Sequence, residues 1–261
     1  MKKVYKILPE ICLLLFLMIS MSMVGDIQKD SRCKDIRIYI ENNEDYILLE
    51  ETDVTPIIRR KCGVLKGTQS ADIKVAELEK TLNKISSIKK SQVFYDVAGN
   101  LHIAIKQREP IVRVLNDNGE SYYIDRGGKV MPLSNKYNAR VIIANGVFDT
   151  PYLKYLDVSN LDSLQENQFV LHSIFILSEY ITRDEFWQKM IEQIYVNEKG
   201  NFILTPKIGP KEIEIGTIEN MEYKLNKIKV FYEQGFPQKG FNVYKKINVS
   251  YSNQVIATRI K

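Results

Sequence analysis

The sequence predicts an α+β protein: an N-terminal transmembrane helix, a small β-α-α-β-β domain, and a larger mixed, mainly antiparallel β domain with flanking helices. Three observations carry that prediction. Residues 11–25 hold no charged side chain. Apolar residues alternate with period two in runs such as Leu101, Ile103 and Ile105, and recur at helical spacing at Val75, Leu78 and Leu82. Turn signals at Asn118-Gly119, Gly127-Gly128 and Lys199-Gly200 separate the later short strands. A chain of 261 residues, 44% hydrophobic and 26% charged, has globular composition and room for one or two domains.

The N-terminus sets the compartment. Val4 to Gly25 is long enough for a tilted helix across about 30 Å of hydrocarbon. Pro9 falls in its first turns, where a spanning helix tolerates it. Lys2, Lys3 and Lys6 precede the uncharged run and Asp26 follows it. The positive-inside rule therefore keeps the short tail, residues 1–3, in the cytoplasm and exports the rest. The alternative is a cleaved signal peptide, with Ser20-Met21-Ser22 as the nearest small-x-small site. The first 25 residues supply +2 of the net +5, and the +3 spread over the rest gives no support for nucleic-acid binding. Cys12 lies in the apolar run. Cys33 and Cys62 lie in the exported part, where a disulfide is permitted and two buried free thiols are the other reading.

Residues 26–35 are polar and read as a linker. Ile36, Ile38 and Ile40 then share one face of a strand. Thr55-Pro56 reads as an N-cap followed by proline at the first helical position. Val54, Ile57, Ile58 and Cys62 line one face of that helix, and Gly63 stops it. A second helix runs from Val75 to Ile85. A strand over Ser91–Asp96, a turn at Ala98-Gly99-Asn100 and the strand containing Leu101, Ile103 and Ile105 complete the first domain, residues 36–110.

The second domain, residues 111–261, opens with strands at Ile111–Leu115, Tyr122–Ile124, Lys129–Met131 and Arg140–Ala144. Helices follow at Glu166–Ile181, apolar nearly all round and so buried, and at Asp184–Met190. Strands at Ile191–Val196, Asn201–Leu204 and Glu212–Ile215 lead to an amphipathic helix over Glu219–Gln234. Its buried stripe is Met221, Leu225, Ile228 and Phe231 or Tyr232, with Lys224, Lys227 and Lys229 off that stripe. Two strands, Lys246–Tyr251 and Gln254–Arg259, close the chain around Ser252-Asn253.

Few residues offer chemistry. His102 sits on the polar face of a strand and His172 on an apolar helix, and both read as ordinary satisfied histidines. Asp184, Glu185 and Glu192 are the available carboxylates, and read as solvated charges. Nucleophile-elbow, H-E-x-x-H, P-loop and dinucleotide fingerprints do not occur, and no Cys/His spacing suggests a metal. The reading contains no catalytic residue, cofactor or metal.

One stretch is more specific. Gln107-Arg108-Glu109-Pro110-Ile111-Val112-Arg113-Val114 follows the β-α-α-β-β unit. It precedes Tyr122-Tyr123-Ile124-Asp125, Gly127-Gly128, Met131-Pro132 and a strand ending Asn145-Gly146. Before it stands Ala76-Glu77-Leu78-Glu79, leading to Gln92-Val93. After it come Ile213-Glu214-Ile215-Gly216, ahead of a Lys-rich helix, and Ile247-Asn248-Val249-Ser250-Tyr251 with Asn253-Gln254-Val255. Over residues 34–260 this order resembles the bacterial cell-division family FtsQ (DivIB), in its short-tailed, Bacteroidetes-like form.

The resemblance implies a single-pass protein of the cell inner membrane, its N-terminus cytoplasmic and its bulk periplasmic. It implies a scaffold of the division machinery and not an enzyme, with a POTRA-like first domain and an FtsQ-type β domain. The partners it implies are FtsB-like and FtsL-like bitopic coiled-coil proteins, and through them FtsW with FtsI, the septal peptidoglycan synthase. The partner adds a strand to the edge formed by the last strands, where unpaired main-chain groups give affinity. By position that edge falls near Ser250 and Tyr251, with Tyr251 as aromatic anchor. The alternative is that Tyr251 packs inward with Ile247 and Val249. Lys224 and Lys227 pair with acidic partner residues or form a solvated face. No aromatic follows Asn253, where some members place a Trp. Arg108, Glu109 and Pro110 read as a hinge, or as a recruitment surface. The competing functional readings are a POTRA-containing envelope assembly factor and an exported cell-wall hydrolase.

Overall fold

The computed structural model describes residues 13–18, 32–41, 46–134, 136–236, 240–241 and 243–260. Most of the expected anchor and linker lies outside the described residues, and residues 13–18 within the anchor are helical and exposed. Among the described residues no helix is long and apolar enough to cross a membrane. The chain forms two compact units that divide between Gln107 and Arg108, three residues before the expected boundary at 110/111. The segment ending at Leu48 belongs to the second unit.

The first unit is β1 (Ile36–Glu41), α1 (Glu51–Cys62), α2 (Val75–Leu82), β2 (Ile88–Tyr95) and β3 (Leu101–Gln107). Its sheet has the order β1-β3-β2, with β1 parallel and β2 antiparallel to β3. Helix α1 does not start at Thr55-Pro56. A capping box joins Glu50 and Asp53, the Glu50 amide donating to Asp53 Oδ2 at 3.0 Å, and this reciprocal pair starts the helix earlier. Pro56 therefore lies inside the helix. Val54 and Ile58 are buried, but Cys62 is exposed: Gly63 stops the helix at once and Leu65 takes the next core place. Buried Cys33 and exposed Cys62 are both free thiols, so neither the disulfide nor the pair of buried thiols is found. Helix α2 stops at Leu82, three residues short of Ile85, with Asn83 as its C-cap; the Asn83 side chain ties this end to β2, its Oδ1 accepting from the Ser91 amide at 2.8 Å.

The second unit contains β4 (Pro110–Leu115), β5 (Ser121–Asp125), β6 (Val130–Pro132), β7 (Ile142–Gly146), α3 (Phe169–Arg183), α4 (Glu185–Met190), β8 (Ile191–Val196), β9 (Phe202–Pro206), β10 (Glu212–Gly216), α5 (Met221–Val230), β11 (Tyr244–Asn248) and β12 (Ile256–Arg259). All nine strands form one sheet in the order β12-β11-β10-β9-β8-β7-β4-β5-β6. Three pairings, β4–β7, β7–β8 and β10–β11, are parallel and the rest antiparallel, the mixed character expected. The faces have different covers, as the strand alternation requires. Tyr122 and Ile124 pack into the core that holds α3, α4 and α5, with Trp187 and Ile174 wholly buried there. Tyr123 and Met131 pack instead with Leu48 and Tyr46.

Candidate functional site

Strand β12 forms one edge of the nine-stranded sheet. It pairs with β11 on one side and with no strand on the other among the described residues. The Ile260 amide donates to Val243 O at 3.0 Å. By the two-residue alternation of an antiparallel strand, the amides of Ala257 and Arg259 then point away from β11. Ile256 and Ile260 are about half exposed.

A largely apolar groove of about 580 Å³ lies next to the start of this strand, lined by Tyr223, Lys227, Val230, Phe231, Gly235 and Val255, the last being the residue before β12. Helix α5 builds it by splitting its faces. Met221, Leu225 and Ile228 are buried, while Tyr223 and Val230 are exposed. The last turn widens to π-helix over Phe231–Gly235, and Tyr232 and Phe236 are both buried there.

The two closing strands are shorter than the sequence suggests, and the residues assigned to the edge lie between them. Strand β11 ends at Asn248, whose Oδ1 accepts from the Ser250 amide (2.9 Å) and hydroxyl (2.6 Å). This side-chain turn breaks the alternation. Val249 stays buried, but Tyr251 is 51% exposed and does not follow Ile247 and Val249 inward. Ser250 lies against Gly216, whose φ is +70° and where a Cβ would come within 3.0 Å of the serine Cβ.

The two lysines differ from each other. Lys227 Nζ donates to Tyr251 O at 2.7 Å, with Val249 O and Ser252 O both at 3.4 Å, and sits 5.0 Å from the Tyr223 ring centroid. It holds the loop that presents Tyr251. Lys224 is not off the buried stripe as expected. It is buried, and its Nζ donates to Thr217 O at 2.8 Å. Burial lowers its pKa below the usual lysine value; neighbouring Lys227 adds to the shift and Glu219 opposes it. A lysine stem is long enough to cross the apolar stripe and reach a carbonyl beyond it. Lys229 pairs with Asp184 at 3.1 Å.

Arg108, Glu109 and Pro110 form a separate group. Arg108 Nη1 donates to the buried Asp125 carboxylate at 2.8 Å, and Glu109 pairs with Arg126 at 2.6 Å. Asp125 also accepts from the amides of Gly127 and Lys129, at 2.9 and 2.7 Å, which closes the β5–β6 hairpin. Pro110 does not end a strand but opens β4, opposite Asp125. All these partners lie in the second unit.

The other polar residues serve local structure. His102 contacts Asp96 at 3.0 Å and stacks on Phe94, and His172 Nδ1 lies 2.7 Å from Val158 O. Asp184 caps α4 by accepting from Phe186 and Trp187 amides, and Glu185 pairs with Lys189 one turn on. Sequence reasoning placed a strand at Gln254–Arg259, which contains β12, but put the docking residues before it at Ser250 and Tyr251 and missed the groove residues Tyr223, Val230 and Val255.

Among the described residues His102, His172, Asp184 and Glu185 serve local bonds, and the main sheet ends on a strand with no strand beyond it. Residues 109–258 match the family described as FtsQ/DivIB, C-terminal related, and residues 31–106 match the POTRA-like domain. The first match spans more than half of the chain, which therefore belongs to the FtsQ/DivIB family. That family comprises non-enzymatic scaffolds of cell division. No curated protein matches the chain.

Proposed function

We propose that this protein is a non-catalytic, membrane-anchored scaffold of the bacterial division machinery that docks its partners by strand addition at β12. Residues 4–25 are the anchor, with the N-terminus in the cytoplasm and both units in the periplasm. The partners are bitopic coiled-coil proteins of the FtsB and FtsL kind, and through them the scaffold regulates FtsW and FtsI. The observation that carries this reading is the bare outer side of β12 beside an apolar groove. A partner strand would satisfy the outward main-chain groups of Ala257 and Arg259 and lay an apolar side chain into the groove. Tyr251 stands at the end of that edge as the aromatic anchor, Ser250 shapes its turn, and Lys227 fixes the loop. Lys224 supports α5 from within and does not face the partner.

Depletion with imaging tests the role, and co-purification tests the edge. Depleted cells are expected to form smooth filaments, and normal division during complete depletion would refute the scaffold. Replacing Tyr251 by Glu is expected to release a small bitopic coiled-coil protein that co-purifies with the unaltered chain. Retention at the unaltered level would refute the edge.

A further inference from the structure

The charge of the first unit is gathered at one end. Residues 32–37, 59–74 and 94–100 together carry eight Lys and Arg against three Asp. Backbone bonds bring the three segments together: the Cys33 amide donates to Thr68 O (2.9 Å), Gly67 to Cys33 O (2.7 Å) and Lys34 to Gly99 O (3.0 Å). Two of the three aspartates are engaged, Asp35 by Lys66 at 3.0 Å and Asp96 by Asn100 and His102. Arg59, Arg60 and Lys61 are exposed, with no ion pair to a described residue. They lie in the last turn of α1, where the helix dipole favours cations. The dipole does not account for Arg32, Lys34 and Arg37, which come from another segment. The other end of α1 carries Glu50, Glu51 and Asp53.

Two aliphatic side chains stand out at the basic pole. Val97, at the tip of the β2–β3 turn, is fully exposed, and Val64 is 74% exposed. Cations ringing exposed aliphatic tips suit a bilayer surface: the cations meet anionic headgroups and the apolar tips enter the interface. Covalent length puts such a surface within reach. Six residues separate Gly25 from Arg32, seven Cα–Cα steps and so at most about 25 Å of extended chain.

We infer that this pole is a second membrane contact, with Arg32, Lys34, Arg59, Arg60 and Lys61 on anionic phospholipid headgroups and Val97 in the interface. The inference rests on the anchor proposed above. It is tested on the full chain carrying Val97→Cys, with Cys12→Ala and Cys62→Ser, labelled at residue 97 with an environment-sensitive fluorophore. The chain is reconstituted into phosphatidylcholine vesicles with or without about a third phosphatidylglycerol, each containing a headgroup quencher. Quenching is expected to be at least about threefold greater with phosphatidylglycerol, and to fall in molar salt as screening shortens the range of the field. It is expected to be lost in a chain that also carries Arg59→Glu, Arg60→Glu and Lys61→Glu. Equal quenching in the two vesicles, with no effect of salt, overturns the inference even if the triple variant fails to fold. Carbonate extraction reads the anchor separately. Release of the chain by carbonate refutes the anchor and this contact with it, whereas a retained chain with lipid-independent quenching refutes the contact alone.

Discussion

At one edge of the large sheet, β6 is three residues long, ends on Pro132, and is covered. Its Val130 amide donates to Leu156 O (3.0 Å), the Val158 amide returns to Gly128 O (2.8 Å), and Lys129 pairs with Asp157 at 2.7 Å. At the other edge, β12 carries no proline, has half-exposed isoleucines at its start (Ile256) and just past its end (Ile260), and pairs with no strand on its outer side among the described residues. Bare edges are an aggregation hazard that folded proteins generally suppress. One sheet that covers one edge with its own chain and leaves the other open points to selection acting on the open one. The openness is therefore local to β12 and is not a property of the sheet as a whole.

The largest effect is expected where the covered edge is forced open. Gly128 has φ +77°, and a Cβ there would lie 2.7 Å from the Ser159 Cβ and 2.8 Å from its amide nitrogen. Gly128→Ala combines a left-handed backbone cost with a clash against backbone, together about 3 kcal/mol. Hydrogen exchange at the Val130 and Val158 amides is expected to speed by orders of magnitude while β11 and β12 keep their rates. Unchanged exchange at Val158 would show that the cover does not depend on this close approach.

A smaller, opposite result is expected at β12. Ala257→Pro removes an amide that points away from β11, so the native ladder keeps its bonds, as for proline on the open side of an edge strand. The melting temperature is expected to move by no more than about 2 °C, while affinity for the docked partner falls at least tenfold, about 1.4 kcal/mol. A proline that unfolds the second unit would mean that the Ala257 amide serves the fold, and the two edges would no longer contrast as described.

The parts legible in the sequence are those set by neighbours along the chain. Period-two runs placed β1 and β3, and Asn118-Gly119 and Gly127-Gly128 marked real turns, with Gly119 and Gly128 at positive φ. The misreadings share a physical origin. Thr55-Pro56 carries a strong local start signal, yet Glu50 and Asp53 satisfy each other's ends first. Lys224 looks like a surface cation until its stem reaches the Thr217 carbonyl. Tyr251 continues the alternation of Ile247 and Val249 on paper, but Asn248 turns the chain through a side-chain bond that period counting does not see. The order of strands is a long-range property, so the far edge could not be read from residues 254–261 alone. The remaining net charge of +3 looked too dilute to define a partner. Folding gathers three short segments with an excess of five cations at one pole, and the excess of acids elsewhere hides this in the total.

The smallest expected effect concerns acid. Burial opposes ionisation of Asp157, but the Lys129 ammonium and the hydroxyl and amide of Ser159 outweigh it, so the carboxyl titrates below its usual 3.8. As pH falls, the unfolded chain takes up the proton first. The stability that Asp157 contributes is therefore fully present above the ordinary carboxylate value and is lost as pH drops through its lowered folded value. The pair is one-third exposed on both sides, so it is worth less than about 1 kcal/mol. Corrected for intrinsic rates, exchange at Val130 and Val158 is expected to rise in acid in the native chain. In Asp157→Asn it should be slightly raised at neutral pH, with the acid step gone. The β12 amides should show no such step in either chain, because no comparable carboxylate strap covers them. An acid step that survives in Asp157→Asn would assign the closure of the β6 edge to the backbone bonds alone and leave the ion pair without a part in it.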